Sequence, residues 1–173
     1  MPSSTEYDAT VPYMQRTRDY YLTLGYGNPC RWAHFDDVPF APLRKPLAET
    51  RLALITTAAP FRPDAGDQGP GAPYNGQAKF FEVYSAPTES APDLRISHVG
   101  YDRAHTSAED PNTWFPLAQL WQAVESGRIG SLTPRFHGAP TNRSQRTTPE
   151  VDAPELLRRC QEDGADAVLL VPN

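Results

Sequence analysis

The sequence predicts an α/β domain of three layers, a mostly parallel sheet with flanking helices and long Pro-rich loops. Two short apolar runs, Arg51–Thr57 (RLALITT) and Ala165–Val171 (ADAVLLV), have the composition of strands buried on both faces. From Leu94 onward the pattern alternates strand, loop, helix, strand, helix, strand, as βαβ units do. A well-marked helix begins at Pro116, with Leu117, Leu120, Trp121 and Val124 at helical spacing and Gly127 as its stop.

Taken in order, Met1 to Thr10 is polar and expected to fray. Val11 to Leu24 places Met14, Arg18, Tyr21 and Leu22 at three- and four-residue steps, and Gly25 and Gly27 follow, so a helix is expected there. Its tyrosines offer wide, half-polar contacts suited to a neighbour as well as to a core. Tyr26 to Leu47 is interrupted by Pro29, Pro39, Pro42 and Pro46, which keep it out of regular structure. This segment reads either as a wrapping arm or as a lid or subunit contact around His34, Asp36 and Asp37. The division that follows is 1–50, a helix and Pro-rich arm, and 51–173, the α/β domain.

Beyond the Arg51–Thr57 strand, Phe61 to Asn75 is a long loop dense in Pro, Gly and Asp. Its glycines do not make a phosphate loop, because GDQGPGAP has neither a GKS/GKT ending nor a helix after it. Ala78–Ser85 and Leu94–His98 have strand composition. Asn112 or Thr113 is the expected cap of the Pro116 helix. Ile129–Leu132 then starts a strand ahead of Pro134, and Thr141–Thr148 is polar loop. A last helix runs from Pro149 or Pro154 through Arg159, with Leu156, Leu157 and Cys160 as its buried face and Gly164 as its stop. Right-handed crossovers would put the loops after Ile96, Leu132 and Val171 on one carboxyl edge of the sheet, where open α/β folds bind ligands.

Composition narrows the function classes. The 173 residues suit one domain with its own core, and a net charge of −5 without a basic cluster argues against a nucleic-acid partner. No apolar run approaches the ~20 residues of a membrane span, and no secretory leader opens the chain, so a cytoplasmic location with no membrane partner is expected. Cys30 and Cys160 lie in no CxxC or metal-ligand spacing and are expected to be reduced. Cys160 falls on an apolar helix face, where a thiol is inert; Cys30 beside Arg31 is either a packed small residue or a thiol of lowered pKa.

The densest chemistry lies in Ser97–Pro116, SHVGYDRAHTSAEDPNTWFP, which carries His98, Tyr101, Asp102, Arg103, His105, Glu109, Asp110 and Asn112 between regular elements. His98, Asp102 and His105 have a spacing a metal could recruit, but no fourth ligand is marked and no metal site is assigned. No nucleophile-elbow motif surrounds a serine, so a Ser/His/Asp triad is rejected. Asp110 and Asn112 serve as well for helix-entry caps as for chemistry. Arg135 and His137, just past Pro134, suit either an anionic group such as a carboxylate or an ordinary surface pair.

These residues also carry a resemblance. The strings HVGYD (His98–Asp102), DPNTWFP (Asp110–Pro116), IGSLTP (Ile129–Pro134) and EDGADAVLLVPN (Glu162–Asn173) resemble the selenoprotein B-like subunits of the glycine/sarcosine/betaine reductase and D-proline reductase family. The likeness spans Arg51 to Asn173, and the segment before it is longer than the resemblance leads one to expect. It implies reductive cleavage of a carbon–nitrogen bond of glycine, sarcosine, betaine, D-proline or a related amine. It further implies a selenocysteine or cysteine following Asn173, with the product continuing past that point and this chain inactive alone. The cofactor it implies, a pyruvoyl group, belongs to a larger partner subunit, none being expected in this chain, and a thioredoxin-like protein is the implied electron donor. A homo-oligomer is a further candidate assembly. By position, His98, Tyr101 and Asp102 fall in the family's HxGYD block and Asp110, Asn112 and Phe115 in its DxNxxFP block. With Arg135 and His137 these are the candidate pocket residues. Phe136 departs from the pattern, standing where relatives have histidine, with His137 one place on. A non-catalytic paralogue serving as a binding or assembly module is the competing expectation, and a metal-dependent hydrolase ranks last.

Overall fold

Every second residue of RLALITT faces the same way, so burying the whole run requires a layer on each side of it. A computed structural model, which describes residues 10–27, 31–66, 69, 71–140 and 144–173, supplies both layers. The chain divides into two units, Met1–Val38 and Pro39–Asn173. In the first, α1 (Tyr13–Thr23) closes at Leu24, and Tyr21 is its buried residue, packed edge-to-face against Tyr20 and Tyr26. The loop that follows is irregular, with His34, Asp36 and Asp37 exposed. Cys30 lies outside the described residues, as does the tip of the polar loop at 141–143.

In the second unit β1 (Arg51–Thr56) is central. Leu52 and Leu54 project into one core with Leu117, Leu120 and Ala123 of α2 (Leu117–Glu125), while Ala53 and Ile55 project into a smaller core with Leu156 and Cys160 of α3 (Ala153–Glu162). Helix, sheet, helix is therefore the layer order, and the three-layer α/β expectation holds.

After β1 the chain makes β2 (Ala59–Pro60), β3 (Tyr84–Pro87) and β4 (Leu94–Arg95), then α2, β5 (Ser131–Leu132), β6 (Arg135–Gly138), α3 and β7 (Ala167–Val171). One flank of β1 pairs in parallel with β7 over five residues. Its other flank pairs in parallel with β5 at one end and β6 at the other, and β3 closes that side antiparallel to β6. The three steps of β1 from Leu52 to Ile55 lie opposite five steps from Leu132 to His137, so β5 and β6 are one strand with a two-residue bulge at Thr133 and Pro134. Pro134 has no N–H to give a ladder, and its carbonyl instead accepts from Thr88 N at 3.0 Å.

Several local expectations are corrected. The strand read at Ile129–Leu132 does not stop at Pro134 but resumes beyond it. Ala78–Ser85 is not a strand through its length; β3 begins at Tyr84 and runs on to Pro87, which an edge strand admits. Leu94–His98 contributes only Leu94 and Arg95, and these pair with β2 in a separate antiparallel ribbon, not with the parallel sheet. Leu157 is 58% exposed, lying about 100° round the helix from Leu156, which packs with Cys160. β7 lies in the sheet but is not buried, since Val168 and Leu170 are 43% and 67% exposed on the face that β1 turns toward α3.

Two glycines answer to close approach. A Cβ at Gly130 would stand 2.8 Å from the Glu49 carbonyl carbon, where the one-turn 3-10 helix Leu47–Glu49 crosses the start of β5. A Cβ at Gly138 would stand 1.8 Å from Tyr84 Cε1, far inside contact distance. That ring cannot easily move aside: its hydroxyl donates to the Ala58 carbonyl at 2.7 Å, and it packs edge-to-face on Phe80 and Phe136. Gly138→Ala should accordingly cost about 1–3 kcal/mol by overpacking, seen as a lower urea midpoint at unchanged slope; a wild-type midpoint would mean that the ring is not held.

Candidate functional site

The polar end of β1 sets the site. Thr56, Thr57, Ala58 and Ala59 follow the apolar run, and small side chains there let neighbouring segments come close. Thr56 Oγ1 accepts from Ala58 N at 3.0 Å, and Thr57 Oγ1 accepts from Asn173 N at 2.8 Å, joining the ends of β1 and β7. Chain leaving β1 reaches the α2 layer before returning as β5, whereas chain leaving β6 crosses on the α3 side to β7. Adjacent strands with exits to opposite faces make a topological switch point, and the crevice at their carboxyl ends is where such folds bind ligands. At those carboxyl ends Thr56 pairs with Gly138, Ala139 N donates to the Thr56 carbonyl at 2.8 Å, and the Tyr84 ring packs across Gly138. Burial pushes the Tyr84 hydroxyl above its ordinary pKa, so it stays a neutral donor.

The β2/β4 ribbon continues from that end of β1 and positions the loop of candidate residues. Arg95 is fully buried, and its guanidinium donates to Asp93, to the Leu94 carbonyl and to the Gly69 carbonyl, with the Phe61 ring 4.7 Å away. This pairing holds the Asp93 carboxyl below its ordinary range. It also ties the Gly- and Pro-rich loop to the ribbon. Asn75 ties the loop a second time, donating to the Ala65 carbonyl and bridging by backbone to Ile96.

Ser97–Pro116 then folds into stitched turns. Asp102 Oδ1 accepts from the N–H groups of Ala104 and His105 at 3.0 and 3.3 Å, and Asp102 Oδ2 lies 2.7 Å from His105 Nδ1. Arg103 stacks over Tyr74, 3.5 Å from the ring centroid, and Tyr101 packs against the α2-side core. Asp110 accepts from Asn112 N at 2.9 Å and caps the 3-10 turn Pro111–Thr113, so its carboxylate and the Asn112 amide are engaged with each other. Neither Asn112 nor Thr113 caps α2, whose N-cap position is Pro116. Phe115 is buried edge-to-face on Phe136 at 4.8 Å, a core contact. His98 lies at the mouth of the loop, its ring 3.1 Å from where a Cβ on Gly100 would sit. Among the described residues no group of three His, Cys, Asp or Glu side chains is arranged to hold a metal.

Arg135 and His137 lie elsewhere. Both are within β6 instead of on a loop past a strand end, and they belong to a network under α3. Arg135 Nε and Nη2 donate to the Asp163 carboxylate at 3.1 and 2.8 Å, which raises the Arg135 pKa. Arg159 Nη1 donates to Ser85 Oγ at 2.8 Å, and the same oxygen lies 2.8 Å from His137 Nδ1. His137 Nε2 faces Asp163 Oδ2 at 3.4 Å. Cys160 is buried nearby, its thiol pushed above the ordinary pKa by burial. A thiol in that state is a poor nucleophile.

A cleft of about 360 Å³ opens beside β2, lined by Pro60, Arg62, Lys79, Phe80, Phe81 and Glu82. Arg62 is paired with Asp64 at its rim. Sequence reasoning missed this cleft, the tyrosine across the switch point and the role of Thr57. The run TTAA after an apolar strand was the available signal, since hydroxyls where a buried strand ends lie where ligands are bound.

A family model described as glycine/sarcosine/betaine reductase selenoprotein B matches residues 26–173. The match reaches back past Arg51, where the motif resemblance began. The D-proline reductase subunit gamma of Acetoanaerobium sticklandii is 29% identical over 140 residues, covering 76% of this chain and 52% of that protein. The chain spans about half the length of that relative. No solved structure matches it.

Burial holds His137 below its ordinary pKa, so the unfolded chain takes up a proton that the folded chain refuses. This has no effect well above pH ~6.5 and lowers stability progressively below it. Urea midpoints measured from about pH 8 to about pH 5 should therefore fall more steeply for wild type than for His137→Gln, which does not titrate. Parallel curves would remove the account.

Proposed function

Because the chain belongs to the glycine/sarcosine/betaine reductase selenoprotein B family, we propose that it is a component of a reductase complex that cleaves a carbon–nitrogen bond of glycine, sarcosine, betaine, D-proline or a related amine. The observation that carries this reading is the extent of the family match, which takes in β1, the Ser97–Pro116 loop and β7 together. Two links support it: Thr57 joins the end of β1 to Asn173 after β7, and β2 leads from the same end of β1 to the ribbon that precedes the loop.

Reductive cleavage consumes two electrons and two protons and turns the C–N bond into a C–H and an N–H bond. A selenolate or thiolate attacks carbon, and a dithiol supplies the electrons on closing to a disulfide. Cys160, packed under α3 away from the switch point, is not that group. In this reading the pyruvoyl carbonyl that captures the amine is carried by a larger partner subunit, and a thioredoxin-like protein is the donor. The chain's own residues bind and orient the substrate. Tyr84 closes over the end of β1 with its hydroxyl donating to the Ala58 carbonyl, Thr57 holds the ends of β1 and β7 together, and His98, Tyr101 and Asp102 belong to the loop beyond the ribbon.

The test is isolation of the chain with the proteins that co-purify with it, followed by dithiothreitol-dependent release of the amine from glycine, sarcosine and betaine and opening of the D-proline ring to a primary amine. Turnover of one of them is expected. A stable complex that turns over none would instead identify a binding or assembly module.

A further inference from the structure

His105 has no place in the site described so far, yet its geometry is that of a proton carrier. Asp102 is 8% exposed and cannot swing, because one carboxylate oxygen accepts from two backbone N–H groups and Thr106 Oγ1 donates to its carbonyl. Its other oxygen lies 2.7 Å from His105 Nδ1. A carboxylate meets an imidazole as an acceptor, so Nδ1 carries the hydrogen and Nε2 becomes the basic atom of the ring. The His105 side chain is 53% exposed, so water can exchange protons with it. An oriented imidazole on a fixed carboxylate is the arrangement by which a histidine takes up and releases protons in catalysis.

The loop is built to keep that arrangement. Arg103, the residue after Asp102, is stacked on Tyr74, and Tyr74 bridges to Ile96 at the loop's entry. At the far side Trp114 Nε1 donates to the Ala108 carbonyl at 3.1 Å while its ring is buried in the core. Both ends are thus tied to packed elements, which a reacting group needs in order to hold its geometry.

We propose that His105 is the general acid of the reductive cleavage and Asp102 its positioning residue, an inference that rests on the reductase reading. The selenolate or thiolate forms a bond to carbon, the C–N bond breaks with its electron pair going to nitrogen, and the His105 imidazolium gives its proton to that pair. Neutral imidazole remains and is reprotonated from water. Nucleophile, substrate and imidazolium thereby become the carbon-bound chalcogen, the protonated amine and imidazole, with charge conserved.

Two measurements test this. On the chain alone, ring ¹⁵N spectra should find neutral His105 with its hydrogen on Nδ1, and Asp102→Asn should lose that preference. In the assembled enzyme, His105→Gln should lower kcat by about 10²–10⁴-fold with little change in KM. His105→Gln should fold as wild type because the side chain is half exposed. A ring hydrogen on Nε2 would overturn the pair whatever the assay gives. Wild-type turnover with an unimpaired His105→Gln enzyme would overturn the proposal and leave the reductase reading standing, whereas a wild-type complex without turnover would overturn both.

Discussion

The structure depends on β1 having no free side. Parallel neighbours pair with it on both flanks, and helices cover both its faces, so a six-residue strand organises the unit from Pro39 to Asn173. Such a strand must be apolar on both faces, and only its ends can be polar. Function is pushed to one end as a result. Thr56 and Thr57 are the first hydroxyls that the chain can offer after the buried run, and β6 and β7 end beside them.

Two clusters of titratable groups lie on either side of this arrangement and do different work. Under α3, Arg135, Asp163, His137, Ser85, Arg159 and Glu155 are linked in series and tie the edge strand β3 and the bulged strand to the helix. Arg135 and Glu155 also pair with Glu162 and Arg158 of the helix, and the imidazole is fully buried. In the Ser97–Pro116 loop the carboxylate is buried and the imidazole half exposed, so that the histidine is supported by the fold and still faces water. The same residue types thus form a closed network in one place and a water-facing pair in the other, and burial of the ring is what separates them.

Much of the frame was legible from the chain because it is written in local signals. The apolar runs of β1 and β7, the helical spacing of Leu117, Leu120 and Val124, and the stops at Gly127 and Gly164 each act over a few residues. What escaped was long-range. Pro134 reads as the end of a strand, and only pairing with β1 shows that the strand resumes. Ser85 meets His137 and Arg159 across 52 and 74 residues, a distance over which no periodicity speaks. The loop at Ser97–Pro116 was visible by density of polar residues, but which carboxylate would orient which ring depended on a turn at Asp102 that composition does not specify.

The bulge at Thr133 and Pro134 adds two residues, and the number matters because side chains alternate along a strand. Parity survives, so Leu132 and Phe136 share the α2-side core while His137 faces α3. Pairing with β1 on both sides of the bulge, at Leu52 and at Ile55, is what keeps those faces apart. A slip of β6 by one residue against Ile55 would exchange Phe136 and His137, turning an imidazole onto Phe115 and a benzyl group onto Asp163.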